Sequence, residues 1–163
     1  MPYATKRTQS HTRFPRQGAD DVTAIDRFAG KHEFLSNFHP SPIEVDGILY
    51  PTVEHAFQAA KTDDPEEKRT IAAAATPSKA KQKGRKVTLR PDWEKVKVGI
   101  MEGLVRMKFE AHTKLRRQLL ATGHTELVEG NTWNDRYWGV CQGEGRNELG
   151  KILMKVRAEL AGE

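Results

Sequence analysis

A mainly α fold with a small β hairpin or sheet element, an α+β single domain, is predicted by three features of this sequence. Apolar residues recur at a helical period in two long stretches of the C-terminal half. Short segments between residues 52 and 84 open with helix caps, and one Asp-Gly pair marks a tight hairpin. With 163 residues the chain is long enough to bury one core of ordinary size, expected over residues 23–163. Residues 1–22 read as a basic arm: Lys6, Arg7, Arg13 and Arg16 face no acid before Gln17, and so polar a segment is expected to be disordered. The formal net charge of +5 therefore sits largely in that arm.

Taken in order, Ile43 to Tyr50 sets Asp46-Gly47 between two short apolar alternations, which calls for a hairpin whose turn residues tolerate positive φ. Thr52 then caps a helix carrying Glu54. Asp64-Pro65-Glu66-Glu67 supplies a cap, a first-turn proline and a capping-box acid for a helix through Ala75. Thr76-Pro77 opens another, ended by Gly84. Asp92 caps a longer helix with Trp93, Val96, Ile100, Leu104 and Met107 turned inward. Leu115, Leu119 and Leu120 define the next helix, closed by Gly123. Asn147 caps the last, with Leu149, Ile152, Leu153, Val156 and Leu160 facing the core. Two stretches escape this scheme: an aromatic loop from Phe34 to Pro40, and an irregular run from Gly130 to Gly150 that holds Trp133, Asp135, Tyr137 and Trp138. Structured loops rich in aromatic and polar groups are where sites tend to lie.

Composition removes several chemistries. Cys141 is the only cysteine, so an internal disulfide and a thiolate zinc site are excluded, and no two of the six histidines stand at ligand spacing on a helix. No metal and no cofactor are expected. None of Ser10, Ser36, Ser41 and Ser78 sits in a nucleophile elbow, and Gly143-Glu144-Gly145-Arg146-Asn147-Glu148 lacks the third glycine of a dinucleotide fingerprint. No apolar run suits a signal peptide or a membrane span, which leads to the expectation of a cytoplasmic protein with no obligate protein partner.

The groups that remain carry chemistry as well as plain structural readings. Glu54, Gln58 and Lys61 share one helical stripe, so a carboxylate, an amide and an amine project together, although an acid in a first turn also simply complements the helix dipole. The glycine-rich turn delivers Arg146 and backbone N–H groups near Asn147, which suits a phosphate or, equally, a solvated turn. Between Glu67 and Asp92 lie eight lysines and arginines with no acid, a solvated helix face or a track for a nucleic-acid backbone.

Phe34-Leu35-Ser36-Asn37-Phe38, Val45-Asp46-Gly47, Pro51-Thr52-Val53-Glu54-His55, Phe57-Gln58-Ala59-Ala60-Lys61, Asn134-Asp135-Arg136-Tyr137-Trp138-Gly139 and Gly145-Arg146-Asn147-Glu148-Leu149-Gly150 occur in one order. In that order and spacing, over roughly residues 28–160, the chain resembles the NADAR family. The resemblance implies a mainly α fold with a small β part. It also implies an N-glycosidase whose substrate is either an early phosphoribosylamino-pyrimidine intermediate of riboflavin synthesis or ADP-ribosylated guanine in nucleic acid. The catalytic residues it implies are Glu54 as general acid and later base, Lys61 as charge stabiliser or C1 nucleophile, and Asp135 orienting ribose or water. Ser36, Asn37, Phe38, Gln58 and Trp138 would bind the substrate, and Arg146 with Asn147 its phosphate. Tyr50 and Ala56 depart from the family pattern, where tryptophan and another aromatic are usual, and are expected to widen the pocket wall. The non-enzymatic alternative is a module that binds ADP-ribose or a nucleotide without cutting it.

Overall fold

The computed structural model describes residues 24–163, so the disordered arm expected over residues 1–22 lies outside the described residues. The α+β expectation holds. Strand β1 (Ala24–Ile25) leads into a 3-10 helix (Gly30–Leu35), and the hairpin follows as β2 (Ile43–Val45) and β3 (Ile48–Tyr50). Its turn residues Asp46 and Gly47 have φ of 50° and 80°, the left-handed pair that a two-residue antiparallel turn requires. Helices α1 (Val53–Ala59), α2 (Pro65–Ala72), α3 (Pro77–Gly84), α4 (Trp93–Ala111) and α5 (Thr113–Ala121) come next. Then β4 (Glu126–Leu127), β5 (Gly130–Asn131) and β6 (Val140–Cys141) precede α6 (Glu148–Ala161).

The organising element is α1. Every one of its seven residues is buried, because α2, α3, α4 and the hairpin all pack on it. Thr52 begins it as expected: its hydroxyl accepts the His55 N–H at 3.2 Å, and the His55 ring joins the same oxygen through Nδ1 at 2.7 Å and donates Nε2–H to the Ala74 carbonyl at 2.9 Å. His55 is thereby a fully partnered core histidine. A further first-turn donor, the Glu54 N–H, goes to the Asn37 carbonyl at 3.1 Å, which straps the aromatic loop onto the start of α1.

Some local expectations fail, each for a physical reason. Glu67 does not close a capping box; its carboxylate instead takes the Thr62 hydroxyl and the Thr88 N–H, tying α2 to the chain after α3. Asp92 stands before α4 but caps nothing with its side chain, since Arg90 holds both its oxygens at 2.6 and 3.0 Å. Helix α2 ends at Ala72, three residues short of Ala75. In α4 the buried residues are Trp93, Met101, Leu104, Val105, Lys108 and Phe109, so Trp93 and Leu104 face inward as expected, while Val96, Ile100 and Met107 pack only partly against the core. The two short parallel pairings, β1 with β4 and β5 with β6, carry no signal in the sequence, because two-residue strands are too short for alternation to register.

If α1 depends on its cap as described, Thr52→Ala costs about 1–2 kcal/mol of stability, whereas Thr52→Ser retains most of it. Urea unfolding of both variants measures this, and equal stabilities for the alanine and wild-type proteins would show the cap to be dispensable.

Candidate active site

A cavity of about 830 Å³ opens along one side of α1, and Glu54, Gln58 and, from the turn after the helix, Lys61 all line it. Glu54 is only 7% exposed, and burial raises its pKa from the ordinary glutamate value, opposed by the Gln58 hydrogen bond and by the Lys81 and Lys61 charges. Gln58 donates Nε2–H to Glu54 Oε1 at 2.8 Å. The opposite amide atom, Gln58 Oε1, is buried with no partner and lies against Gly84, where a Cβ would stand 2.0 Å from it. Gln58 is therefore held by packing against the last residue of α3, and through Gln58 so is Glu54. Lys61 is half-buried, with its ammonium 6.0 Å from the Trp93 ring centroid. Desolvation lowers its pKa, Glu54 counters this, and Lys81, Arg85 and Lys97 reinforce it.

The aromatic loop forms the neighbouring wall, with Ser36, Asn37 and Phe38 all on the cavity. Ser36 Oγ accepts the Phe38 N–H at 3.1 Å, and Asn37 donates to the Met101 sulfur at 3.4 Å. Across from it, Asp135 and Trp138 come from the irregular run. Asp135 Oδ1 accepts the N–H groups of Tyr137 and Trp138 at 3.1 and 2.9 Å, while Asn131 grips its backbone at both ends. One carboxylate oxygen thus builds the loop and the other is unclaimed among the described residues. Trp138 meets Phe57 edge-on at 5.3 Å, placing an aromatic floor beneath the acid.

Arg146 and Asn147 do not join this group. Neither lines the cavity. Arg146 pairs with Glu148 at 3.0 Å and lies over the Tyr137 ring at 4.8 Å. The amides at the start of α6 are already taken, since those of Asn147, Glu148 and Leu149 donate to the carbonyls of Gly139, Tyr137 and Trp138. No anion can use them there. Asn147, with φ of 53°, turns its side chain away from the helix: Oδ1 accepts the Glu129 N–H at 3.0 Å and Nδ2 donates to the Leu127 carbonyl at 2.9 Å. It is a brace for the cavity's far wall. Tyr50 and Ala56 likewise face elsewhere, lining a second hollow of about 250 Å³ on the other side of α1, so the departures at these positions do not widen the candidate site.

Three contributions escaped the sequence reading. Lys81 and Arg85, with Ser78 and Gln82, occupy one stripe of α3 along the cavity edge, so part of the basic run belongs to the site. Their spacing of four and seven was legible; that α3 lies beside α1 was not. Glu129 also lines the cavity, half-buried, with a pKa pushed up to about 7 by burial. Lys108 lies behind the aromatic loop, 1% exposed, its ammonium donating to the Ser36 carbonyl at 2.9 Å; burial lowers its pKa to about 7.

With this geometry in view, the NADAR domain model matches residues 26–161. The chain belongs to the NADAR family. It is 46% identical over 132 residues to N-glycosidase YbiA of Escherichia coli strain K12, a match spanning 79% of this chain and 82% of that protein. Riboflavin biosynthesis protein VVA0006 of Vibrio vulnificus strain YJ016 is 44% identical over 132 residues, 79% of this chain but 36% of the longer protein. The NMR structure of E. coli YbiA shares the fold with a TM-score of 0.74 at 39% identity, covering 88% of this chain and 91% of that one. As its curated relatives at this level of identity are N-glycosidases, this NADAR protein is an enzyme of that kind. No helix among the described residues is long and apolar enough to cross a membrane.

Burying Lys108 has a thermodynamic sign. Its folded pKa is depressed from 10.5 to about 7, so its contribution is most favourable above pH 10.5 and is lost as pH falls toward 7. Lys108→Met is expected to raise stability by about 1–3 kcal/mol at pH 7, with the gain vanishing near pH 10.5. Urea unfolding of both proteins at the two pH values measures it; an equal effect at both would refute the buried ammonium.

Proposed function

We propose that this NADAR protein hydrolyses the bond between C1 of a phosphorylated ribose and an exocyclic amine, acting on an early phosphoribosylamino-pyrimidine intermediate of riboflavin biosynthesis. The observation that carries it is the buried Glu54, which shares the cavity with Lys61, set in the turn just after α1, and with an aromatic wall of Phe57 and Trp138. Burial raises the Glu54 pKa and so favours its protonated form, the form that can supply a proton to a leaving amine. Riboflavin enters through relatives of known name, including the Vibrio protein. The expected compartment is the cytoplasm.

In this reaction the base stacks between Phe38 and Trp138, and Glu54 passes its proton to the exocyclic nitrogen as the C1–N pair moves onto it. Lys61, whose pKa desolvation lowers, captures C1 as a Schiff base or stabilises charge on the ribose. Asp135 orients the ribose hydroxyls through its unclaimed oxygen. The phosphate falls to Lys81 and Arg85 on α3 in place of Arg146, because only the former pair borders the cavity. A non-catalytic binding module would have no use for a desolvated acid, and the N-glycosidase relatives weigh against it.

A second substrate, guanine carrying ADP-ribose, is favoured by one observation. Trp133 lines the cavity yet is 61% exposed, and with Lys81 and Arg85 it offers stacking and positive charge to a substrate that extends beyond the pocket. Mass spectrometry of products from the two substrates, supplied in parallel, decides between them.

Glu54→Gln is expected to lower kcat by about 10² to 10⁴ while binding and folding persist, because the amide keeps the shape but carries no transferable proton. Turnover within about threefold of wild type would remove Glu54 from the chemistry. For Lys61, borohydride added during turnover should leave a reduced sugar-phosphate adduct on the peptide containing residue 61, and Lys61→Arg should be inactive. An unmodified peptide together with an active arginine variant would leave only the electrostatic role.

A further inference from the structure

The cavity contains an acid to which the roles above give no task. Glu129 follows β4 and lines the same cavity as Glu54, and its backbone is fixed at both ends. Its N–H donates to Asn147 Oδ1 at 3.0 Å, and its carbonyl accepts the Val140 N–H at 2.8 Å. The side chain crosses Gly139 so closely that a Cβ there would stand 1.8 Å from Glu129 Oε2. Oε2 accepts the Asn131 amide at 3.1 Å, while Oε1 is claimed by no other group among the described residues. The carboxyl is thus locked in one pose with a single oxygen free.

We propose that Glu129 is the general base that takes a proton from the hydrolytic water, in the cavity it shares with Glu54. This rests on the N-glycosidase reading above. The amine leaves first, taking the C1–N electron pair and the Glu54 proton. Water then attacks C1, either free or held as the Lys61 imine, and passes one proton to Glu129 Oε1; in the second case the C1–Lys61 bond breaks with its electron pair returning to the lysine nitrogen. The products are a ribose with a C1 hydroxyl and the free amine, and solvent exchange restores both acids.

A purely structural role fits the surroundings poorly. If Glu129 only had to accept the Asn131 amide, glutamine would serve without placing a third acid near Glu54 and Asp135. The groups that act on it are Asn131 and Lys81, which favour the carboxylate, and Asp135 and Glu54, which with burial disfavour it. The balance leaves it titrating near 7, where a base is both abundant and strong enough to work.

The experiment is the pH dependence of kcat from pH 5 to 9, on whichever ribosylamine the wild-type enzyme cleaves, for wild type, Glu129→Gln and Glu129→Asp. Wild-type kcat should fall about tenfold per unit below roughly pH 7. In Glu129→Gln that limb should vanish, kcat should drop on the order of 100-fold with KM within about threefold, and added azide should restore turnover as ribosyl azide. Glu129→Asp should keep the limb at reduced rate. A flat wild-type profile between pH 6 and 8, or a glutamine variant within threefold of wild type, overturns the proposal; the wild-type profile decides even if a variant fails to fold. A wild-type enzyme that releases no amine from any ribosylamine sinks the underlying reading as well, so the two failures are distinguishable.

Discussion

Enclosure of a seven-residue helix on nearly every side governs this molecule. Because α1 is buried by α2, α3, α4 and the hairpin, its polar side chains reach open space only through the cavity. Burying a carboxyl and an amine costs free energy unless the protonation states adjust, and here they adjust toward each other: burial favours the neutral acid at Glu54 and the neutral amine at Lys61. The same packing that makes α1 the centre of the core therefore prepares both groups for proton and carbon chemistry. Stability and reactivity share one cause.

The remaining walls are held by hydrogen bonds that fix the backbone around the proposed reacting groups and leave one oxygen of Asp135 and of Glu129 unclaimed among the described residues. Lys108 holds the Ser36 carbonyl, the Asn37 carbonyl holds Glu54, Asp135 folds its own loop, and Asn147 spans Leu127 and Glu129. Several of these braces use ionisable or amide side chains that a sequence reader takes for ligands. Their polar atoms are consumed internally, which fixes loop geometry to within the tolerance that positioned catalysis needs.

What the sequence made legible was periodic or local. The Asp46-Gly47 hairpin and the Thr52 and Thr76 caps rest on spacings of two and three residues and appear in the structure; Glu54, Gln58 and Lys61 do reach one cavity, but α1 ends at Ala59 and Lys61 stands in the turn beyond it. Missed features depended on which elements become neighbours. Lys81 and Arg85 matter because α3 lies against α1, and Glu129 because Asn147 draws β4 toward the loop before α6. The assignment of Arg146 and Asn147 to a phosphate failed for the same reason: a glycine-rich helix start binds anions only when its amides are free, and here loop carbonyls occupy them.

The contact between Gly84 and Gln58 has a consequence for how this enzyme can diverge. Helix α3 and its C-cap carry Lys81 and Arg85, two of the four cations that border the cavity, and its last residue is the surface on which the partner of Glu54 rests, with no room for even a methyl group. A change of substrate reached by sliding or rotating α3 would disturb Gln58, and with it the proton affinity of Glu54. With the roles proposed for Lys81, Arg85 and Glu54, anion preference and working pH would be inherited together, and a lineage that retunes one must rebuild the other.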